Sequence, residues 1–166
     1  PELPALHLRL GIATGTMMVG DFGAPPRRSD YTVIGDSVNL AARLESANKQ
    51  FATGILISAQ TYAQIKDQML ARPIGRVVVK GRAAAEPVYE LLCACEDATN
   101  AERDSAVLLE QLMHAFDEAR YDAALEHCRK LSGSGLPALL TDRYQSMCEA
   151  GQRGEKIDST LILTEK

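Results

Sequence analysis

The chain has 166 residues, enough for one domain or a domain with an appendage, and 46% of them are hydrophobic, which is ample for a core. Aromatics make up only 5%, with no Trp, so that core rests on Val, Leu, Ile, Ala and Met. The net charge of −4 argues against a nucleic-acid binder, and there is no zinc-like His or Cys spacing and no apolar run near 18 residues.

Leu6, Leu8, Leu10 and Ile12 alternate with His7, Arg9, Gly11 and Ala13, which predicts a half-buried strand. Thr14-Gly15-Thr16 reads as a turn into a second strand, Met17 to Gly20. The stretch from Gly23 to Ser29 reads as a loop, because Pro25 and Pro26 cannot donate to a ladder. Tyr31 to Ile34 is a short strand rich in β-branched residues. Gly35 breaks it, and Asp36 or Ser37 can cap the next helix, whose apolar stripe is Leu40, Leu44 and Ala47. Asn39 and Arg43 sit four apart, and so share one face off the centre of that stripe.

Ile55 to Ser58 is a further strand, and Ser58 caps a short helix carrying Tyr62, Ile65 and Met69. Gly75–Lys80 and Pro87–Leu92 flank a turn and predict a hairpin. Strands interspersed with helices indicate an α+β sheet with helices on one face. After Asn100 helical spacing takes over: Leu108, Leu112, Ala115 and Ala119, then Tyr121, Ala124, Leu125, Cys128 and Leu131, then a third helix from about Pro137 to Ala150.

Composition shifts at the same place. Residues 1–95 hold ten Lys/Arg against eight Asp/Glu, and residues 96–166 hold eight against fourteen. The organisation read from this is 1–95, a helical unit over 96–150, and a loosely held tail over 151–166. The first part suits an anionic small ligand better than the second. The four cysteines form no C-x-x-C pair and read as reduced thiols of a cytoplasmic protein.

The run Tyr31-Thr-Val-Ile-Gly-Asp-Ser-Val-Asn-Leu-Ala-Ala-Arg-Leu44 closely resembles the second half of the class III nucleotidyl cyclase catalytic domain. The resemblance implies a partial ferredoxin-like, palm-type sheet followed by a C-terminal all-α hairpin appendage, and Ala119 to Leu125 resembles one tetratricopeptide hinge. It implies an adenylyl cyclase that converts ATP to 3′,5′-cyclic AMP and pyrophosphate in an intact homodimeric parent. In that reading Asn39 orients the ribose and Arg43 stabilises charge on the transferring phosphoryl group. Thr32 occupies the purine-reading position and resembles the bacterial adenylyl branch. Arg82, with Lys80 as second choice, reaches the terminal phosphates. Asp36 and Asp21 are not family ligands.

The family's two metal ions, Mg²⁺ or Mn²⁺, are held by aspartates of the first half, which this chain lacks. The opening Pro1-Glu-Leu-Pro reads as an internal start, so the chain alone is expected to be inactive, and any membrane link would come through an upstream segment. The alternative is a catalytically dead, cyclase-like regulatory module. A diguanylate cyclase is disfavoured because no Gly-Gly-Asp/Glu-Glu-Phe turn is present.

Overall fold

The computed structural model describes residues 7–24, 28–79, 85–134, 136–155, 157 and 160–163. Three strands open the chain: β1 (Leu10–Ile12), β2 (Met18–Ala24) and β3 (Arg28–Ile34). Then come α1 (Asp36–Phe51), β4 (Ile55–Ser58), α2 (Ala59–Ile65), β5 (Met69–Val79) and β6 (Glu86–Ala94). Three helices, α3 (Asn100–Asp117), α4 (Tyr121–Leu131) and α5 (Ala138–Gln152), precede a last strand, β7 (Thr160–Leu163). The main sheet has the order β1-β4-β6-β5-β7, and β2 and β3 form a separate antiparallel ribbon. The mixed α+β class follows directly.

Helix α1 is pinned to the sheet because β1 has no side chain where the two meet. A Cβ on Gly11 would lie 2.0 Å from the Ala41 carbonyl oxygen and 2.4 Å from the Glu45 nitrogen. Gly11 pairs with Leu56, and Leu56 with Glu90, so these positions share the face that α1 covers. Leu44, Ala47 and Phe51 of α1 join Leu56, Ile74, Val77 and Val88 of the sheet in one buried cluster. Leu109, Leu112 and Phe116 of α3, Ala124 and Cys128 of α4, and Leu140, Tyr144 and Cys148 of α5 belong to the same cluster. Helix α2 differs: its Tyr62 stacks on Tyr89 at 4.0 Å, and Tyr89 leaves β6 on the side opposite Val88.

Several expectations change. Met69 does not end a helix; it opens β5 and pairs with Ala94, because strand pairing outweighs a helical spacing of only three apolar residues. The expected 23–29 loop is mostly ladder, with Gly23 opposite Ser29 and Ala24 opposite Arg28. Only residues 25–27, where the prolines fall, lie outside the described residues. The expected loose tail contributes β7, which runs parallel to β5 from Arg76↔Thr160 to Val79↔Leu163. The helical unit packs on the sheet. Arg76 of β5 bonds Asp117 of α3 at 2.6 Å, and the buried Tyr144 hydroxyl of α5 donates to the Ile74 carbonyl at 3.4 Å.

All four cysteines are free. Cys128 and Cys148 are buried, and desolvation pushes their thiols up to about 11 and about 12, so they stay protonated and act as small apolar groups. Across β5 and β6, Arg72 and Glu90 form a buried ion pair at 2.7 Å. Burial raises the Glu90 carboxyl, and the Arg72 charge pulls against that shift.

Candidate active site

The site residues lie on the ribbon and on the helix that directly follows it. Thr32 is on β3, opposite Gly20, and is exposed. Two residues after Thr32, at Ile34, the strand ends. Gly35 makes the corner and α1 begins. Asn39 is exposed and Arg43 half-buried, one helical turn further along. Their shared face is set by burial of the other: Leu40, Leu44, Ala47 and Phe51 go inward, which turns Asn39 outward. Lys80 and Arg82 lie outside the described residues. The structure therefore joins three of the five expected positions through one strand–corner–helix segment.

The start of α1 is held in an unexpected way. Neither Asp36 nor Ser37 caps it; Gly35 is the N-cap, and no side chain bonds the first turn. Ser37 is buried instead, and its hydroxyl donates to the Thr16 carbonyl at 3.3 Å. The corner is tight, since a Cβ on Gly35 would sit 3.1 Å from the Thr16 oxygen and 3.2 Å from the Met17 Cα. A Cβ on Gly15 would come within 2.9 Å of the Ser37 Cβ. The loop over residues 13–17 thus replaces a cap as the support for this helix end.

The far end of α1 is fixed by Asn48, which the spacing analysis overlooked. Its amide donates to the Leu10 carbonyl at 2.8 Å and to the Leu44 carbonyl at 3.0 Å, and its oxygen accepts from the Thr53 hydroxyl at 2.8 Å. A fully buried amide with every partner supplied is a fixed point rather than a penalty. The signal available in the sequence was a polar residue one position after Ala47 in an otherwise apolar stripe.

Among the described residues no group of three or more His, Cys, Asp or Glu could hold a metal ion. The described residues also contain no helix long and apolar enough to cross a membrane. A small cavity lined by Arg76, Met113, Phe116, Asp117 and Tyr144 lies under the helical unit, away from Asn39 and Arg43.

The strand–corner–helix segment therefore carries Thr32, Asn39 and Arg43 within a mixed α+β fold. Residues 3–92 match the family described as the adenylate and guanylate cyclase catalytic domain, and the chain belongs to that family. It is 46% identical over 90 residues to adenylate cyclase 1 of Rhizobium meliloti, a match covering 54% of this chain and 13% of that protein. It is 37% identical over 92 residues to the adenylate cyclase of Anabaena cylindrica, covering 54% of this chain and 18% of that one. The crystal structure of the adenylyl cyclase CyaB from P. aeruginosa shares 46% identity over 55% of this chain and 45% of that chain, with a TM-score of 0.46. The chain thus spans less than a fifth of the two curated relatives.

Proposed function

We propose that this chain supplies the nucleotide-orienting part of an adenylyl cyclase that converts ATP to 3′,5′-cyclic AMP and pyrophosphate. The supporting observation is the pair Asn39 and Arg43, one turn apart on a helix anchored at both ends. In the reaction the ribose 3′-oxygen attacks the α-phosphorus and its proton leaves to a base or to solvent. A new P–O bond forms, the bond to the β-phosphate oxygen breaks, and pyrophosphate carries away the electron pair. Arg43 supplies a planar, permanently charged fork to the phosphoryl oxygens where charge accumulates. Asn39 hydrogen-bonds the ribose and keeps its 3′-oxygen in line with the phosphorus. Thr32 offers a hydroxyl to the adenine edge, and Arg82 and Lys80 the cations for the terminal phosphates.

Family resemblance adds two divalent ions, Mg²⁺ or Mn²⁺. Among the described residues no cluster of three or more His, Cys, Asp or Glu could hold one. Their ligands belong to another segment or subunit, and the working form is a homodimer with the site shared between copies. On this reading the parent protein acts in the cytoplasm.

Kinetics of the full-length parent provide the test. Arg43→Ala should lower turnover by roughly 10²–10³, about 3–4 kcal/mol, with a much smaller change in KM, and Asn39→Ala should follow it. Near-normal turnover in both variants overturns the assignment. A wild-type parent that makes no cyclic nucleotide with either ion supports the regulatory-module reading instead.

A further inference from the structure

The hydroxyls around residues 14 and 61 have no part in the reaction just described. Thr61, in the first turn of α2, is buried, and its Oγ1 lies 3.0 Å from the Thr14 Oγ1 and 3.0 Å from the Ser58 Oγ. It also reaches the carbonyl of Ile12 at 3.5 Å. Ser58 is already fixed, since it caps α2 by accepting from the Thr61 nitrogen at 3.2 Å. The result is a chain of three hydroxyls that runs from a helix cap to the loop leaving β1.

That loop is the one on which the start of α1 rests. Thr14 is bound to α2, Gly15 leaves no room for a side chain beside Ser37, Thr16 accepts from Ser37, and Thr16 with Met17 leaves none at Gly35. Because α1 has no side-chain cap, its first turn is held from outside the helix, through the Ser37 hydroxyl bonded to the Thr16 carbonyl. Two residues beyond Ser37 stands Asn39, whose nitrogen bonds back to the Gly35 carbonyl at 3.2 Å. A shift of the loop is therefore delivered to the corner that aims Asn39.

We propose that Thr14 and Thr61 are positioning residues for the nucleotide site, acting through the 13–17 loop on the first turn of α1. The proposal rests on the reading of Asn39 and Arg43 as nucleotide-orienting groups. Orientation contributes mainly in the transition state, so loosening it lowers kcat more than it changes KM.

The test uses the full-length parent protein, steady-state kinetics with ATP, and thermal unfolding. Thr14→Val removes the hydroxyl and keeps the shape; Thr14 is a half-buried loop residue, and Thr14→Ala is the second variant should valine disturb folding. Either should lower kcat about three- to tenfold, the scale of one lost hydrogen bond, with KM changed less than twofold. Thr14→Ser, which keeps the hydroxyl, should restore kcat. Combined with Asn39→Ala, Thr14→Val should cost almost nothing further, because the group it positions is gone.

Unchanged kcat in Thr14→Val and Thr14→Ala, or a full additional loss in the Asn39→Ala background, overturns the proposal. A lower melting temperature with unaltered kcat would mark the contact as purely structural and overturn it too. Arg43→Ala, run beside these, separates the two levels. If it is crippled while Thr14→Val is normal, only the positioning role fails; if it is normal, the site assignment itself fails.

Discussion

Leu112 of α3 is the most direct probe of whether the helical unit and the cyclase-family sheet form one body. It is 0% exposed and lies in the same cluster as Ile74 and Val77 of β5 and Leu44 of α1. Leu112→Ala removes three carbon groups, worth about 0.8 kcal/mol each by transfer, or about 2.4 kcal/mol. The cavity left behind raises this to about 3–4 kcal/mol, within the range for buried leucines. For a chain of this size that lowers the melting temperature by about 10 °C. The assay is urea and thermal unfolding of the 166-residue chain, followed by far-ultraviolet dichroism for the helices and by tyrosine emission. Tyr62 and Tyr89 report on α2 and β6, and Tyr144 on α5. Both probes should shift together in a single transition. Two separable transitions, with only the helical one moved, would show that residues 96–150 have a core of their own and would refute the shared-core argument.

Three further outcomes are expected. Thr32→Val in the parent should lower the ratio of catalytic efficiencies for ATP over GTP about fivefold, the equivalent of about 1 kcal/mol, and an unchanged ratio would place purine choice elsewhere. Gly11→Ala should destabilise the chain by about 1–3 kcal/mol in denaturant titration, because its Cβ meets α1 backbone rather than a movable side chain, and a neutral result would contradict the close approach. The side-chain and backbone bonds from Thr99 hold Glu102 below its ordinary value of 4.5, so its ionised form stabilises the fold above that value and is lost as pH falls through the lowered one. Glu102→Gln accepts the same backbone bond without titrating, and should flatten the acid limb of a melting-temperature profile below the ordinary Glu102 value of 4.5.

The elements legible in the sequence were those set by local spacing or local capping. Leu40, Leu44 and Ala47 marked α1 and Ser58 the start of α2; of the expected α3 and α4 stripes Leu112, Ala115, Ala124, Cys128 and Leu131 are buried, but Leu108, Tyr121 and Leu125 are half-buried, and Ala119 is exposed in a left-handed turn after α3. What escaped was decided by partners far along the chain. Met69 completes a helical triplet with Tyr62 and Ile65, yet its pairing with Ala94 makes it strand. Nothing local distinguishes Thr160–Leu163 from a free end; its partner strand lies some eighty residues earlier. The support of α1 escaped for the same reason. Asp36 and Ser37 are good capping types, but the Thr16 carbonyl, 21 residues away, takes the Ser37 hydroxyl. That Asn39 and Arg43 share one helix was readable because their relation is i, i+4, whereas Thr14 and Thr61 are 47 residues apart and carry no pattern that spacing could show.

Exposed apolar side chains lie on the same elements as the candidate site residues or next to them. Leu8, Leu10 and Ile12 are 80%, 48% and 39% exposed, and Met18, Val19, Tyr31, Val33 and Ile34 on the ribbon are exposed as well. These residues lie on β1, just before it, or on the β2–β3 ribbon that leads into α1; the cluster formed by the rest of the sheet and α3–α5 is well covered. A phosphoryl transfer assisted by Arg43 needs the opposite conditions, since a guanidinium stabilises developing charge far better when water is excluded. An exposed Asn39 and Thr32 cannot provide that exclusion by themselves. The apolar ribbon and β1 are the side from which further polypeptide can supply it, by burying surface that is costly to leave wet. The electrostatics of the proposed chemistry and the hydrophobicity of the chain thus point to the same side of the molecule. The proposed site shared between copies would satisfy both.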